Sequence, residues 1–190
     1  MGFELYTDLI LADYLCSQNL AKSVIFHVKA MPWFVSDVTD KHDFPWALTT
    51  MTSSESSTFI TLGKRWKSYI DSGRWKVTTH QYWTLSFDFS LMKEKSPDLY
   101  AQLGKSQLLI IKGDLNYRKL VDDLIWDTTT PFHDALRGFF PAPLVSLRTL
   151  KCDTVVGLPD GLSNKLDAEV PDWRFTGSYA VIQFSQEIRP

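Results

Sequence analysis

The stretch that most constrains this chain is Leu108-Leu109-Ile110-Ile111, followed directly by Lys112-Gly113-Asp114-Leu115-Asn116-Tyr117-Arg118-Lys119. Four consecutive apolar residues, two of them β-branched, read as a buried strand. Gly113 then permits a turn whose backbone angles are closed to residues carrying a Cβ. Asn116 is placed to cap a helix that begins with Tyr117-Arg118-Lys119-Leu120-Val121. A strand that ends in a glycine turn and feeds a helix is where open α/β sheets bind ligands. Free N–H groups at the helix start attract anions, and Lys112, Arg118 and Lys119 add cationic donors. The segment therefore reads as a phosphate-binding turn, with a basic corner on a solvated edge as the plainer alternative.

Elsewhere the chain alternates short apolar runs with helical patterns. The spacing of Phe3, Tyr6, Ile10, Ala12 and Leu15 predicts a helix over Gly2 to Leu15, with Asp8 and Asp13 off its apolar stripe. That helix opens without a cap or a preceding strand, so the chain is expected to begin inside a larger fold. Ser23 to Lys29 reads as a strand, interrupted by Ala30-Met31-Pro32. Trp33-Phe34-Val35 leads into Ser36-Asp37. Helices are expected over Asp43 to Met51 (Phe44, Trp46, Ala47 and Leu48 inward), Thr58 to Ile70 and Asp98 to Leu103, with a polar loop at Thr52 to Ser57. Trp75 to Met92 has no clean period. Pro131 to Phe139 resembles a short helix with proline at its first position. Leu144 to Leu150 and Ala180 to Phe184 are strand candidates, and Gly157 to Ala168 reads as irregular. The expectation is one α/β domain over residues 1–190, a three-layer α/β/α sandwich with a mostly parallel central sheet.

Composition narrows the function classes. The formal net charge is −2, which disfavours a nucleic-acid binder that relies on a broad basic face. No apolar run approaches membrane-spanning length. Cys16 and Cys152 fit no metal-type spacing and no disulfide framework, which points to a reducing, intracellular setting.

Three separated patches carry the residue types of phosphate chemistry: Asp37 with Asp40, Asp114 to Arg118, and Arg148-Thr149-Leu150-Lys151. Carboxylates suit a hard divalent cation, and cationic side chains suit phosphoryl oxygens. Strand periodicity puts Arg148 and Lys151 on opposite sides, so both serve one ligand only if Lys151 lies past the strand end. From spacing alone, Arg148 reads as a surface or ion-pair residue and Lys151 as a solvated terminus. For Asp37 a helix cap or turn residue is the commoner reading after a strand; Asp122-Asp123 read as a solvated helix end, and the four histidines as packed or exposed side chains.

Gly2-Phe3-Glu4-Leu5-Tyr6-Thr7-Asp8-Leu9, Phe34-Val35-Ser36-Asp37, Lys112 to Lys119 and Arg148-Thr149-Leu150-Lys151 occur in this order. Together they resemble the metal-dependent damage-control phosphatases, in the subfamily of sugar-phosphate phosphatases and acidic-residue methyltransferase-like proteins. The resemblance implies that Asp37 is a metal ligand and catalytic with Lys151. It also implies that Glu4, Asp114, Leu115, Asn116, Tyr117, Arg118 and Lys151 bind substrate, with Mn, Co or Ni favoured as cofactor and Mg a further choice. A small phosphorylated metabolite such as fructose 1-phosphate is the implied partner, and the cytoplasm, with the nucleus as a second place, the implied location. In that family Asp-Asn-x precedes the Gly-Phe-Glu element and supplies two metal ligands. Here Met1 stands at x, so the chain as given is expected to have lost most metal affinity and activity. The alternatives are an S-adenosylmethionine-dependent glutamate carboxyl methyltransferase and a non-catalytic phosphate-binding fragment.

Overall fold

The computed structural model describes residues 4–186. The chain divides into two compact units, Met1–Leu85 and Ser86–Pro190.

The first unit is built on two parallel strands, β1 (Val24–Val28) and β2 (Trp75–Thr79), paired from Val24 opposite Trp75 to Val28 opposite Thr79. Parallel neighbours need a long crossover, here made by α2 (Asp43–Thr52) and α3 (Ser57–Asp71). Helix α1 (Glu4–Ser17) completes the layer, and Gly2 and Phe3 of its expected start lie outside the described residues. Leu5, Leu9, Ala12 and Cys16 recur every three or four positions along α1. They join Phe44, Ala47 and Met51 of α2, Trp66 of α3 and Trp75 of β2 in one core. Phe26 meets Phe44 and Trp75 edge-on, with centroids 5.1 and 5.2 Å apart, the arrangement that opposes ring edge to ring face.

The stripe of α1 is therefore rotated from the expected one. Ile10 is exposed, while Asp13 is buried on the inner face because Arg65 of α3 reaches it with two guanidinium nitrogens. Periodicity assigns charge outward, and this aspartate violates it because its partner comes from 52 residues away. Trp46, expected inward, is also exposed. Helices α2 and α3 touch at Gly63, where a Cβ would stand 2.9 Å from Met51 Cβ and 3.0 Å from the Thr52 amide nitrogen. Only glycine allows that approach.

The second unit holds a three-stranded sheet in the order β3 (Leu109–Lys112), β4 (Leu144–Thr149), β5 (Ala180–Ser185). β3 and β4 are parallel, and β5 runs antiparallel along β4, with Arg148 opposite Val181. Around it lie α4 (Met92–Lys95), α5 (Pro97–Leu103), α6 (Asp114–Leu120), α7 (Phe132–Ala135) and α8 (Leu162–Glu169). Short 3-10 turns, Gln81–Thr84 in the first unit and Phe89–Leu91 in the second, occupy part of the stretch that has no clean period in sequence. Helix α8 replaces the irregular segment expected at Gly157 to Ala168. It starts after Gly161, whose left-handed φ of 75° turns the chain into it. The described residues are thus α/β, with parallel strand pairs and an antiparallel edge strand.

Leu9 is fully buried at the centre of the first core. Leu9→Ala should therefore lower unfolding free energy by about 2–5 kcal/mol, read as a fall in the guanidinium midpoint.

Candidate functional site

In the first unit the feature of interest is the strap after β1. The Lys29 amide donates to the Val38 carbonyl, and Lys29 and Thr39 form a lone parallel bridge, so the chain returns to its starting point. The strap is held at its tip by Asp37. Its Oδ2 accepts from the Trp33 and Phe34 amides, each at 2.8 Å, and its Oδ1 accepts from Lys29 Nζ at 2.9 Å. Both side chains of this ion pair are largely buried, at 8% and 13% exposure. Buried charges persist when they are paired and hydrogen-bonded, and this pair meets both conditions. Trp33-Phe34-Val35 does not form a buried run; all three side chains are exposed.

A divalent metal at Asp37 can be tested against this geometry. The side of Oδ1 that a cation would approach faces an ammonium, and Oδ2 already accepts twice. Among the described residues, no three His, Cys, Asp or Glu side chains are grouped to hold a metal ion. Asp40 is half-buried and Glu4 exposed at the start of α1, and neither is grouped with Asp37 in a metal cage. The described residues of this unit do not, as arranged, make a metal site.

In the second unit the strand–turn–helix corner forms as the sequence suggests. β3 ends at Lys112, and Gly113 adopts φ 98°, which glycine reaches without the penalty of a Cβ. The helix starts earlier than expected: α6 begins at Asp114 with Gly113 before it, so Asn116 lies inside its first turn. The Asn116 amide instead donates to the Lys112 carbonyl at 2.7 Å, tying the helix back to the strand it leaves. Leu115 is half-buried. Lys119 turns inward, with its ammonium 5.6 Å from the Phe89 ring centre.

Arg148 is the centre of this unit's polar interior. Far from a surface residue, its side chain has no exposure. It lies on the buried face of β4 with Leu144 and Ser146. Its Nε donates to Asp114 Oδ1 at 2.9 Å, and Nη2 lies 2.8 Å from the same oxygen. Nη1 donates to the Thr154 carbonyl, and Nη2 also approaches Cys152 Sγ at 3.0 Å. The guanidinium plane lies over the Tyr117 ring, 4.3 Å from its centre, a cation–π contact strengthened by desolvation. The fully buried Tyr117 donates its hydroxyl to Gln183 Oε1 at 2.9 Å and accepts from the Val156 amide. Burial pushes its phenol up to about 12, against the opposing pull of the Val156 amide and Arg148.

Arg118 has a different role. It projects from α6 half-exposed and forks onto Asp123, Nε to Oδ1 at 2.8 Å and Nη2 to Oδ2 at 2.5 Å. The pairing lowers the Asp123 carboxyl and raises the guanidinium. Asp122 and Asp123 do not simply trail off a helix end: both hold left-handed backbone, φ 62° and 47°. Asp122 is itself paired with Arg137. Lys151 stands exposed, beyond the end of β4 at Thr149. That is the position from which it can act without sharing Arg148's face. The Asp123 and Thr154 contributions were not readable from spacing, because each depends on a turn that brings it beside α6.

Two measurements check this account. Arg148→Met leaves Asp114 charged and unpartnered in the interior and should cost about 3–5 kcal/mol of stability. An added Asp114→Leu should recover part of that loss. Because the folded phenol of Tyr117 is raised, the unfolded chain ionises first as pH rises. Stability from this group should therefore hold below pH 10 and fall between 10 and about 12, as followed by phenolate absorbance and melting temperature.

Comparison with known proteins adds the family. The model of the damage-control phosphatase ARMT1-like domain matches residues 1–166. The mouse (Mus musculus) damage-control phosphatase ARMT1 is 51% identical over 183 residues, covering 96% of this chain and 42% of that protein. The zebrafish (Danio rerio) protein of the same name is 49% identical over 188 residues, 99% of the chain and 42% of that protein. The human protein is 48% identical over 183 residues, 96% and 41%. The chain thus spans about two-fifths of the length of these curated relatives. By the family match and by identity over nearly its whole length, this chain belongs to the damage-control phosphatase family with an ARMT1-like domain.

Proposed function

We propose that this chain carries the substrate-binding portion of a metal-dependent phosphatase for small phosphorylated metabolites, sugar phosphates such as fructose 1-phosphate among them. The observation that supports the reading most is the family match over residues 1–166, which takes in Asp37, Asp114 to Arg118 and Lys151 together. Phosphoryl transfer to water needs positive charge at the phosphoryl oxygens as the bond to the sugar oxygen breaks. Arg118 supplies a planar fork that matches two such oxygens, and Lys151 a compact ammonium on an open flank. Asp114 and Tyr117 serve the same site from beneath. The Arg148 bonds to Asp114 and the Tyr117 bonds to Gln183 and Val156 fix the backbone from which Arg118 projects. Leu115 and Asn116 complete the turn.

Dependence on a divalent cation (Mn, Co or Ni, with Mg as a further choice) belongs to the reading through Asp37. Asp37 would be the carboxylate to hold such a cation, which would supply positive charge at the phosphoryl oxygens; the described residues of the first unit do not, as arranged, fit it. Among the described residues no helix is long and apolar enough to cross a membrane, and the reading places the protein in the cytoplasm or nucleus.

The test is ligand binding by the purified chain, followed by phosphate release. Fructose 1-phosphate should raise the melting temperature, and Lys151→Ala should weaken binding about tenfold or more, the worth of a charge-assisted hydrogen bond. Phosphate release, where present, should stop with chelator and return with Mn. Absence of any protection by the sugar phosphate sinks the proposal. Saturable binding of S-adenosylmethionine without sugar-phosphate binding would put the carboxyl methyltransferase in its place.

A further inference from the structure

We infer that Asp123 is an internal stand-in for the substrate's phosphoryl oxygens: it occupies the Arg118 fork until a phosphorylated metabolite displaces it, and so sets the affinity of that site. The inference rests on the phosphate-binding reading of Arg118 given above.

Three observations carry it. The contact is a two-pronged one, Nε and Nη2 of Arg118 on the two oxygens of one carboxylate. This is the geometry in which a guanidinium also takes two phosphoryl oxygens. The pair is not sealed: the side chains of Arg118 and Asp123 are 34% and 43% exposed, so an incoming anion reaches the guanidinium without opening the core. And the carboxylate is held in place by its backbone. Asp122 and Asp123 are both left-handed, the Asp123 amide donates to the Arg118 carbonyl at 2.7 Å, and Thr154 Oγ1 approaches Asp123 Oδ1 at 3.3 Å.

Arg148 offers the contrast. Its partner Asp114 is sealed in the interior, so no ligand can compete for that guanidinium. Arg118 is the arginine of the corner left open to exchange, and an exposed ion pair is weak enough to be exchanged. A phosphomonoester brings close to two negative charges and three acceptor oxygens against the single charge of a carboxylate. It therefore displaces Asp123, which swings to water carrying its charge. While no ligand is bound, the same carboxylate keeps the long Arg118 side chain ordered.

Asp123→Asn tests this cleanly, because asparagine tolerates left-handed backbone and keeps the side chain's shape while removing its charge. Binding of fructose 1-phosphate to the purified chain, by calorimetry, should tighten by about three- to tenfold. The Asp123→Asn gain should vanish when Arg118→Gln is added. Loss of a negative charge favours a nearby anion through space as well, so the diagnostic result is that the gain depends on Arg118; a gain that persists with Arg118→Gln overturns the inference. Unchanged or weaker binding by a folded Asp123→Asn, or no binding by it at all, overturns the inference. If Arg118→Gln alone weakens binding while Asp123→Asn does not strengthen it, the phosphate-binding reading stands and only this inference falls. If Arg118→Gln alone changes nothing, both fall.

Discussion

A guanidinium with no water around it must find its counter-charge and acceptors in the protein, and Arg148 sets that requirement at the heart of the second unit. An arginine buried alone would cost several kcal/mol or more, a large share of a domain's whole stability. The chain meets the demand with one carboxylate, two backbone carbonyls and an aromatic face, drawn from α6, the loop after β4 and Tyr117. The start of α6 is therefore positioned by electrostatics as much as by apolar packing. Asp114 pins its first residue, Asn116 ties it to β3, and Tyr117 anchors its middle.

The first unit uses the same device twice. Arg65 reaches Asp13 across α1 and α3, and Lys29 reaches Asp37 across the strap, in both cases with a largely buried carboxylate. Such pairs gain less in net stability than apolar side chains of equal volume, and the better-attested benefit is register. Here they fix which residue of one segment stands opposite which residue of another. Several groups with the chemistry to bind ligands are thus already bound to protein partners, so ligand binding at these positions becomes an exchange.

Much of the fold was legible because its signals are local. The β3–Gly113 corner, α2, α3, α5 and three of the strand positions follow from apolar runs, proline and glycine. Two of the misses share one cause, namely pairing at a distance. Asp13 breaks the α1 stripe because of Arg65, and Arg148 leaves the surface because Asp114, Thr154 and Cys152 await it. Asn116 forgoes capping because the Lys112 carbonyl lies within its reach. The antiparallel course of β5 was equally invisible, since strand direction leaves no mark on a six-residue run. For the candidate site, the residue types and their order carried the family. The partners that restrain each group, Lys29 for Asp37 and Asp123 for Arg118, had to be seen in space.

The paired left-handed residues at 122 and 123 have an evolutionary corollary. Surface loops ordinarily drift freely in sequence, yet successive residues in this region of backbone space favour glycine, asparagine and aspartate. A β-branched or bulky side chain there would be strained however much solvent surrounded it. Among descendants of this chain, variation at these two positions should favour that short set, while neighbouring Leu124 and Ile125, exposed on ordinary backbone, change more freely.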